Sequence, residues 1–185
     1  MPIDHFNLIA GFYDRGTQFI VTEQLLRLLE LSPKSVLLDA GGGTGRVSVA
    51  LRSRVDQVVI ADLSLGMLRQ AKNKRLTTVY TPVEHLPFPS GVFDRIIMVD
   101  AFHHVLDQSQ TAAELWRVLA PAGRILIVEP DIHQIVIKFL AIGEKAALMR
   151  SHFLSSENIS TLFKNQNARV RVENCAHDVI VLVEK

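Results

Sequence analysis

The chain of 185 residues contains a single cysteine, Cys175. This excludes an intrachain disulfide and a zinc cage built on cysteine pairs, and it makes a reducing compartment, the cytoplasm, the expected location. Neither charge is in excess: 20 Lys and Arg face 19 Asp and Glu, for a net charge of +1. That balance gives no electrostatic footing for nucleic acid or a membrane surface. Long apolar runs are also missing. Residues 134–142 (QIVIKFLAI) are interrupted by Lys138 and fall short of the roughly 18–20 residues a membrane span needs. The first residues, MPIDHFNLIAGFYDR, lack the basic-then-apolar order of a secretory signal, so the segment is expected to stay on the mature protein. There is no internal repeat, low-complexity tract or linker rich in Pro, Gly or Ser. A single domain over residues 1–185 is therefore expected, with residues 1–31 as a helical lid segment within it.

What is present is an alternation. Phe6, Ile9, Ala10 and Tyr13 recur at spacings of three and four, which predicts a helix over 3–13. Thr17 to Leu31 is dense in Leu and predicts a second, ended by Ser32-Pro33. Short β-branched runs follow at Ser35 to Ala40, Gln57 to Ala61, Thr77 to Thr81, Phe93 to Val99 and Gly123 to Glu129. Runs this short and this continuously apolar fit strands buried on both faces. Amphipathic segments at Gly45 to Arg54, Ser64 to Lys74 and Gln108 to Leu119 lie between them, so the expected fold is a doubly wound, mostly parallel α/β sheet. Helices are expected over 133–150 and 155–166. The closely spaced runs at Ala168 to Cys175 and His177 to Glu184 predict a C-terminal antiparallel pair.

The sequence Asp39-Ala40-Gly41-Gly42-Gly43-Thr44-Gly45 stands where the first strand turns into the first crossover helix, at the sheet edge where such folds bind ligands. Glycines there let the backbone approach a ligand, and the helix N-terminus adds unpaired N–H groups. The spacing does not suit a dinucleotide. Counted from Gly41, the third small residue of that fingerprint falls on Arg46, and counted from Gly43 it falls on Ser48. No Gly-Lys-Ser/Thr follows to make a phosphate loop. A carboxylate at Asp39 would repel a pyrophosphate and favour a cationic cofactor; the other reading of Asp39 is a cap for the loop. Asp62 lies 21 residues after Gly41, where an acid is suited to accept both ribose hydroxyls of an adenosine. Its other reading is an N-cap, a role open equally to Ser64.

At these residues the chain resembles the class I S-adenosylmethionine-dependent methyltransferases of Rossmann-like fold. DAGGGTG (Asp39 to Gly45) is similar to their first motif and ADLS (Ala61 to Ser64) to the acidic end of the second strand. VEHLPFPSGVFDRI (Val83 to Ile96) resembles the adenine loop, DAFHHV (Asp100 to Val105) the end of strand four, and RVLAPAGRILIVEP (Arg117 to Pro130) the run into strand five. The subgroup it resembles is the methyltransferases of ubiquinone and menaquinone biosynthesis (methyltransferase type 11), which also carry an N-terminal Tyr-Asp like Tyr13-Asp14.

The resemblance implies S-adenosylmethionine as cofactor, S-adenosylhomocysteine as product and a small, apolar or aromatic methyl acceptor as partner. Gly41, Gly43, Thr44 and Gly45 would line its methionine and ribose part, Asp39 would help hold its amino group, and Asp62 would take the ribose hydroxyls. Leu63 and Met67 would flank the adenine, with Val99 and Tyr13 completing the cofactor site. The pair that usually reads Asp-Ala or Asn-Ala is Pro82-Val83 here. Since Pro82 has neither a side-chain acceptor nor an N–H, adenine recognition would rest on the Val83 backbone, assisted by Glu84. The parts that cover the substrate in fuller members look short in this chain.

Methyl transfer from a sulfonium is an in-line displacement, and a base is needed only when the acceptor must lose a proton. His104 and His103, after strand four, are the candidate bases, each with a packing role as the alternative. Glu129 and His133 are candidates for an acceptor pocket, and Tyr13, Phe12 and Phe102 for an apolar lid and wall. No metal site is expected, because adjacent histidines in an extended segment point to opposite sides and cannot share an ion with His133. Arg69, Lys72, Lys74 and Arg75 are expected to form a solvated helix face. Two rival functions are a non-catalytic S-adenosylmethionine-binding or regulatory protein and an NAD-dependent oxidoreductase on the same sheet.

Overall fold

The computed structural model describes residues 10, 21–131, 152–164, 166–175 and 178–185. The expected helices over 3–13 and 133–150, the start of the one over 17–31, and Phe12, Tyr13 and His133 lie outside the described residues. Helix α1 (Glu23–Leu29) begins at Thr22, whose Oγ1 accepts the Leu25 N–H at 3.1 Å, and ends at Glu30 in the left-handed conformation. Both features satisfy backbone groups that a helix terminus leaves unpaired.

From there strand and helix alternate as the sequence predicts. The order is β1 (Val36–Ala40), α2 (Arg46–Leu51), β2 (Gln57–Asp62), α3 (Leu65–Asn73), β3 (Thr77–Tyr80), β4 (Phe93–Val99), α4 (Gln108–Val118) and β5 (Leu119–Pro130). Helix α5 (Ser156–Lys164) and strands β6 (Arg169–Cys175) and β7 (Asp178–Glu184) follow. Strand β5 starts four residues earlier than its apolar run, because Leu119 pairs with Phe93 before the register shifts. Pro121 and the left-handed Ala122 (φ 60°) lie in that irregular stretch. Both residues disfavour a regular ladder.

The strands form one seven-stranded sheet in the order β3-β2-β1-β4-β5-β7-β6. Strands β1 to β5 run parallel, while β7 is antiparallel to both β5 and β6. Alternation along each strand divides the core into two layers. Leu37, Val58, Ile97 and Leu126 pack with Leu25, Leu28 and Leu29 of α1 and with Val47 and Leu51 of α2. Leu38, Val59, Ile96 and Ile125 pack on the other face with Leu115 of α4 and Ile159 and Phe163 of α5. Strand order reverses between β1 and β4, and the crevice at that reversal, outside the carboxyl ends of the strands, is where doubly wound sheets take ligands. No helix among the described residues is long and apolar enough to cross a membrane.

Candidate functional site

The glycine run leaves β1 directly into this crevice, and its glycines serve different ends. A Cβ at Gly45 would lie 2.4 Å from Leu76 Cδ1 and 2.9 Å from Ile60 Cδ1, so Gly45 is needed for the close approach of helix and sheet. A Cβ at Gly41 would lie 2.7 Å from that of Ala101 after β4, and the Gly41 N–H donates to Ala61 O at 2.7 Å. Gly43 is the open position. Its φ is +53°, and the nearest atoms a Cβ would meet are Asp62 Oδ2 at 3.9 Å and Met67 Sδ at 4.0 Å. Thr44 is buried, and its carbonyl accepts Lys74 Nζ at 2.8 Å. Lys74 is thus half-buried as a clamp on the loop, unlike its neighbours Arg69, Lys72 and Arg75, which are exposed.

Asp39 requires a correction. The expectation that it holds the cofactor's amino group needs a carboxylate facing the crevice, yet Asp39 is 1% exposed. Side chains alternate along β1, so Asp39 shares the face of Leu37, under α2. There its Oδ2 accepts the Ser48 hydroxyl at 2.6 Å, and a Cβ on Gly42 would come within 2.5 Å of its Cγ. Burial pushes its pKa up from 3.8 to about 6, against the lowering influence of the Ser48 hydroxyl and Arg46; Asp62 adds to the rise. The capping role is therefore the one its geometry supplies. Gly42, which sequence reasoning passed over, is the residue that makes room for it.

Asp62 ends β2 with both oxygens on backbone donors: Oδ2 takes the Gly43 N–H at 2.9 Å and Oδ1 the Ser64 N–H at 2.7 Å. It therefore ties the glycine loop to the turn entering α3. Ser64 occupies the N-cap position without a side-chain capping bond, and its buried Oγ has no partner among the described residues. Met67 is buried, while Leu63 is 53% exposed. After β3, Pro82 O accepts the His85 N–H at 3.1 Å, which closes a turn that leaves the Val83 N–H without an acceptor among the described residues. Two other expected contacts are limited by the side chains' own partners. Glu84 Oε1 accepts the Leu106 and Asp107 N–H groups at 2.8 and 3.4 Å, so its carboxylate pins the entry to α4. Val99 packs in the core layer with Leu37 and Ile97, which leaves only its backbone at the crevice.

The other half of the edge is built from side chains. Residues Phe102–His104 form a 3₁₀ turn after β4. Glu129, at the end of β5, accepts the Ala101 and Phe102 N–H groups on Oε1 at 3.1 and 2.9 Å. Its Oε2 lies 2.5 Å from His103 Nδ1; a carboxylate accepting from two backbone donors is an acceptor here too, which makes Nδ1 the protonated ring nitrogen. His103 is 3% exposed, and its ring stacks on Phe153 with centroids 4.2 Å apart. His104 is only half-buried. The two imidazoles lie beside each other, centroids 4.0 Å apart, and not on opposite sides as expected, because a 3₁₀ turn rotates successive side chains by about 120° instead of the 180° of a strand. Glu129 is accordingly a latch and not a pocket wall, and Phe102, fully buried in the core, is no wall either. No group of three or more potential metal ligands occurs among the described residues.

Sequence reasoning also missed Arg46 and Asp100, which form an ion pair from the start of α2 to the end of β4. Asp100 opens the DAFHHV run and Arg46 follows the glycine loop, yet nothing in the sequence pairs them, so only the fold brings them together.

Comparison with known proteins adds the following. Residues 38–127 match the family model Methyltransf_11, described as a methyltransferase domain. A demethylmenaquinone methyltransferase of Mycolicibacterium gilvum is 37% identical over 101 residues, covering 55% of this chain and 44% of that protein. The ubiquinone/menaquinone biosynthesis C-methyltransferase UbiE of Geobacter sulfurreducens is 33% identical over 144 residues, covering 68% and 56%. The chain thus spans about half the length of the curated relatives it matches. Among solved structures, a chain from the complex of the Haloferax volcanii Trm112 methyltransferase activator with a methyltransferase superposes with a TM-score of 0.86 at 16% identity. That superposition covers 100% of this chain and 99% of the other, a likeness of fold.

Proposed function

We propose that this chain, whose residues 38–127 match the methyltransferase-domain model, is a class I methyltransferase that transfers a methyl group from S-adenosylmethionine to a small apolar or aromatic acceptor. One observation carries the proposal. At the strand-order reversal, an open glycine backbone faces an acid at the end of β2, while the Val83 N–H on the next turn is left without an acceptor among the described residues. These residues fit the cofactor. Asp62 is held at the crevice by the Gly43 and Ser64 N–H groups it accepts, and an acceptor-only carboxylate there suits ribose hydroxyls. The exposed Leu63 offers apolar surface to an adenine, and the Val83 N–H offers the ring a donor. When bound, the cofactor supplies a methyl group made electrophilic by its sulfonium.

The chain's own part is to orient and exclude. The loop and Asp62 fix the donor's position, and alignment of this kind supplies much of the acceleration of a bimolecular transfer. Where the acceptor must lose a proton, we assign its removal to His104. His103, held at Nδ1 by Glu129, positions the neighbouring ring instead of touching the acceptor. The relatives' names point to a quinone-type ring as acceptor, and the cytoplasm suits a chain with one cysteine.

Calorimetric titration with S-adenosylmethionine, S-adenosylhomocysteine and NAD tests the proposal. Saturable binding of the first two is expected, followed by label transfer from methyl-labelled cofactor to a demethylated quinol. Saturable NAD binding with no response to the sulfonium compound or its product would overturn it. Cofactor binding without turnover on any acceptor would favour the non-catalytic alternative.

A further inference from the structure

The sheet ends in two outer strands, β3 and β6, and only one of them is protected. An outer strand presents unpaired backbone groups that accept another strand, and proteins commonly blunt it by keeping it short, by placing proline there or by bulging it. Strand β3 has four residues, and Pro82 follows close behind it. Strand β6 has none of these devices. It runs for seven residues, Arg169–Cys175, contains no proline, and pairs with β7 in unbroken register along its whole length. On its other side it has no partner strand among the described residues. Val172, at its midpoint, is 44% exposed. Charged side chains can also guard such a strand, and a guard of one sign would repel every copy of itself. The charges of β6 have both signs, with Arg169 and Arg171 before the midpoint and Glu173 after it.

We infer that β6 is the docking surface for β6 of a second copy of this chain, the two strands running antiparallel about a two-fold axis at Val172. Residues directly opposite one another in such a pair lie on the same face and interact. The axis sets Val172 against its own counterpart and Arg171 against Glu173 of the other copy, twice by symmetry. Val170 then faces Asn174 and Arg169 faces Cys175, so no like charges meet. Moving the axis by one residue in either direction would set Arg171 or Glu173 against itself, which fixes the register. Both side chains retain groups for the contact. Arg171 uses only Nη2, on Glu184 at 3.2 Å, and Glu173 uses only Oε2, which accepts from Gln24 at 2.8 Å and from Arg27 at 3.2 Å. Arg171 Nη1 and Glu173 Oε1 have no partner among the described residues. Strands β5 and β7 separate β6 from β4, so the contact lies away from the crevice and does not depend on what binds there.

Sedimentation equilibrium of the whole chain over a concentration series tests the inference. The unsubstituted chain is expected to show a reversible monomer–dimer equilibrium. Arg171→Glu makes both positions acidic and Glu173→Arg makes both basic, so each variant alone sets like charges opposite one another. The dimer dissociation constant should rise by about tenfold or more in each. An equimolar mixture of the two variants restores opposite charges in a mixed dimer, and should associate within about threefold of the unsubstituted chain. Because an unfolded variant would not be rescued by the other, the mixture separates a lost contact from a lost fold. Should either variant not fold, Val172→Lys replaces it, since it brings two like charges together on the axis at an exposed position: a tenfold or greater weakening supports the inference and no change overturns it. A chain that stays monomeric at every concentration overturns the inference and leaves β6 to a strand of another protein. A dimer that both single variants leave intact, or a mixture that stays monomeric while the unsubstituted chain dimerises, overturns it as well, the first by placing the contact elsewhere and the second by removing the register.

Discussion

The two edges of the parallel sheet are finished in opposite ways. At the amino edge the protein satisfies itself: Arg95 donates to the carbonyls of Leu29 and Glu30 at the end of α1, and Arg124 donates to Leu28 O and pairs with Glu30 and Glu184. The Val36 N–H that starts β1 is taken by Asp94 at 2.9 Å. At the carboxyl edge, glycines replace side chains along the first turn, and donors such as the Val83 N–H face outward. A finished edge contributes stability, and an unfinished one contributes a site. The same division runs within the carboxyl edge, between the open β1–β2 half and the half latched by Glu129.

Four substitutions test that division, in order of expected effect. Gly45→Ala adds a methyl group into Leu76 and Ile60 at φ +75°. The cost is expected to be about 3–4 kcal/mol in urea denaturation, from left-handed strain and overpacking together. A smaller loss would mean that helix and sheet can part there. Asp39 gives the next effect through pH. Its folded-state pKa of about 6 lies above the ordinary 3.8, so the folded protein keeps a proton that the unfolded chain has released. The stability it contributes is complete below about pH 4 and is lost as pH rises through about 6, an amount of about 3 kcal/mol. Asp39→Asn should flatten that slope in denaturation curves taken between these limits.

Arg95→Ala at the opposite edge should cost about 2 kcal/mol by leaving carbonyls of α1 unpaired, with cofactor affinity unchanged. A comparable fall in affinity would break the separation between the edges. Asp62→Ala is the converse. It should weaken S-adenosylhomocysteine binding by about 1–3 kcal/mol through lost charge-assisted hydrogen bonds, and unchanged affinity would remove Asp62 from the assigned ribose contact.

Much of this was legible in the sequence because the governing periodicities are local. The five parallel strands and the reversed pair follow from short apolar runs and from the brief gap before β7. The site was legible only in part. Asp62 and the glycine loop stand out because backbone chemistry dictates residue type there. Asp39 was misread because its motif position says nothing of direction, whereas the two-residue repeat of β1, counted from Leu37, turns it under α2. The two imidazoles were expected on opposite sides because the two-residue repeat of a strand was carried past β4, where a 3₁₀ turn begins. Arg46 and Asp100 stand 54 positions apart, and no local rule pairs them.

One feature of the turn after β3 bears on thermodynamics. Pro82 offers an adenine neither a side-chain acceptor nor an N–H, yet its ring fixes one torsion, and its carbonyl already holds the His85 N–H. The segment we propose to meet the adenine is thus ordered before any ligand arrives and has little conformational entropy left to lose on association. On that proposal, what recognition gives up in hydrogen bonding at Pro82 is offset in part by this rigidity.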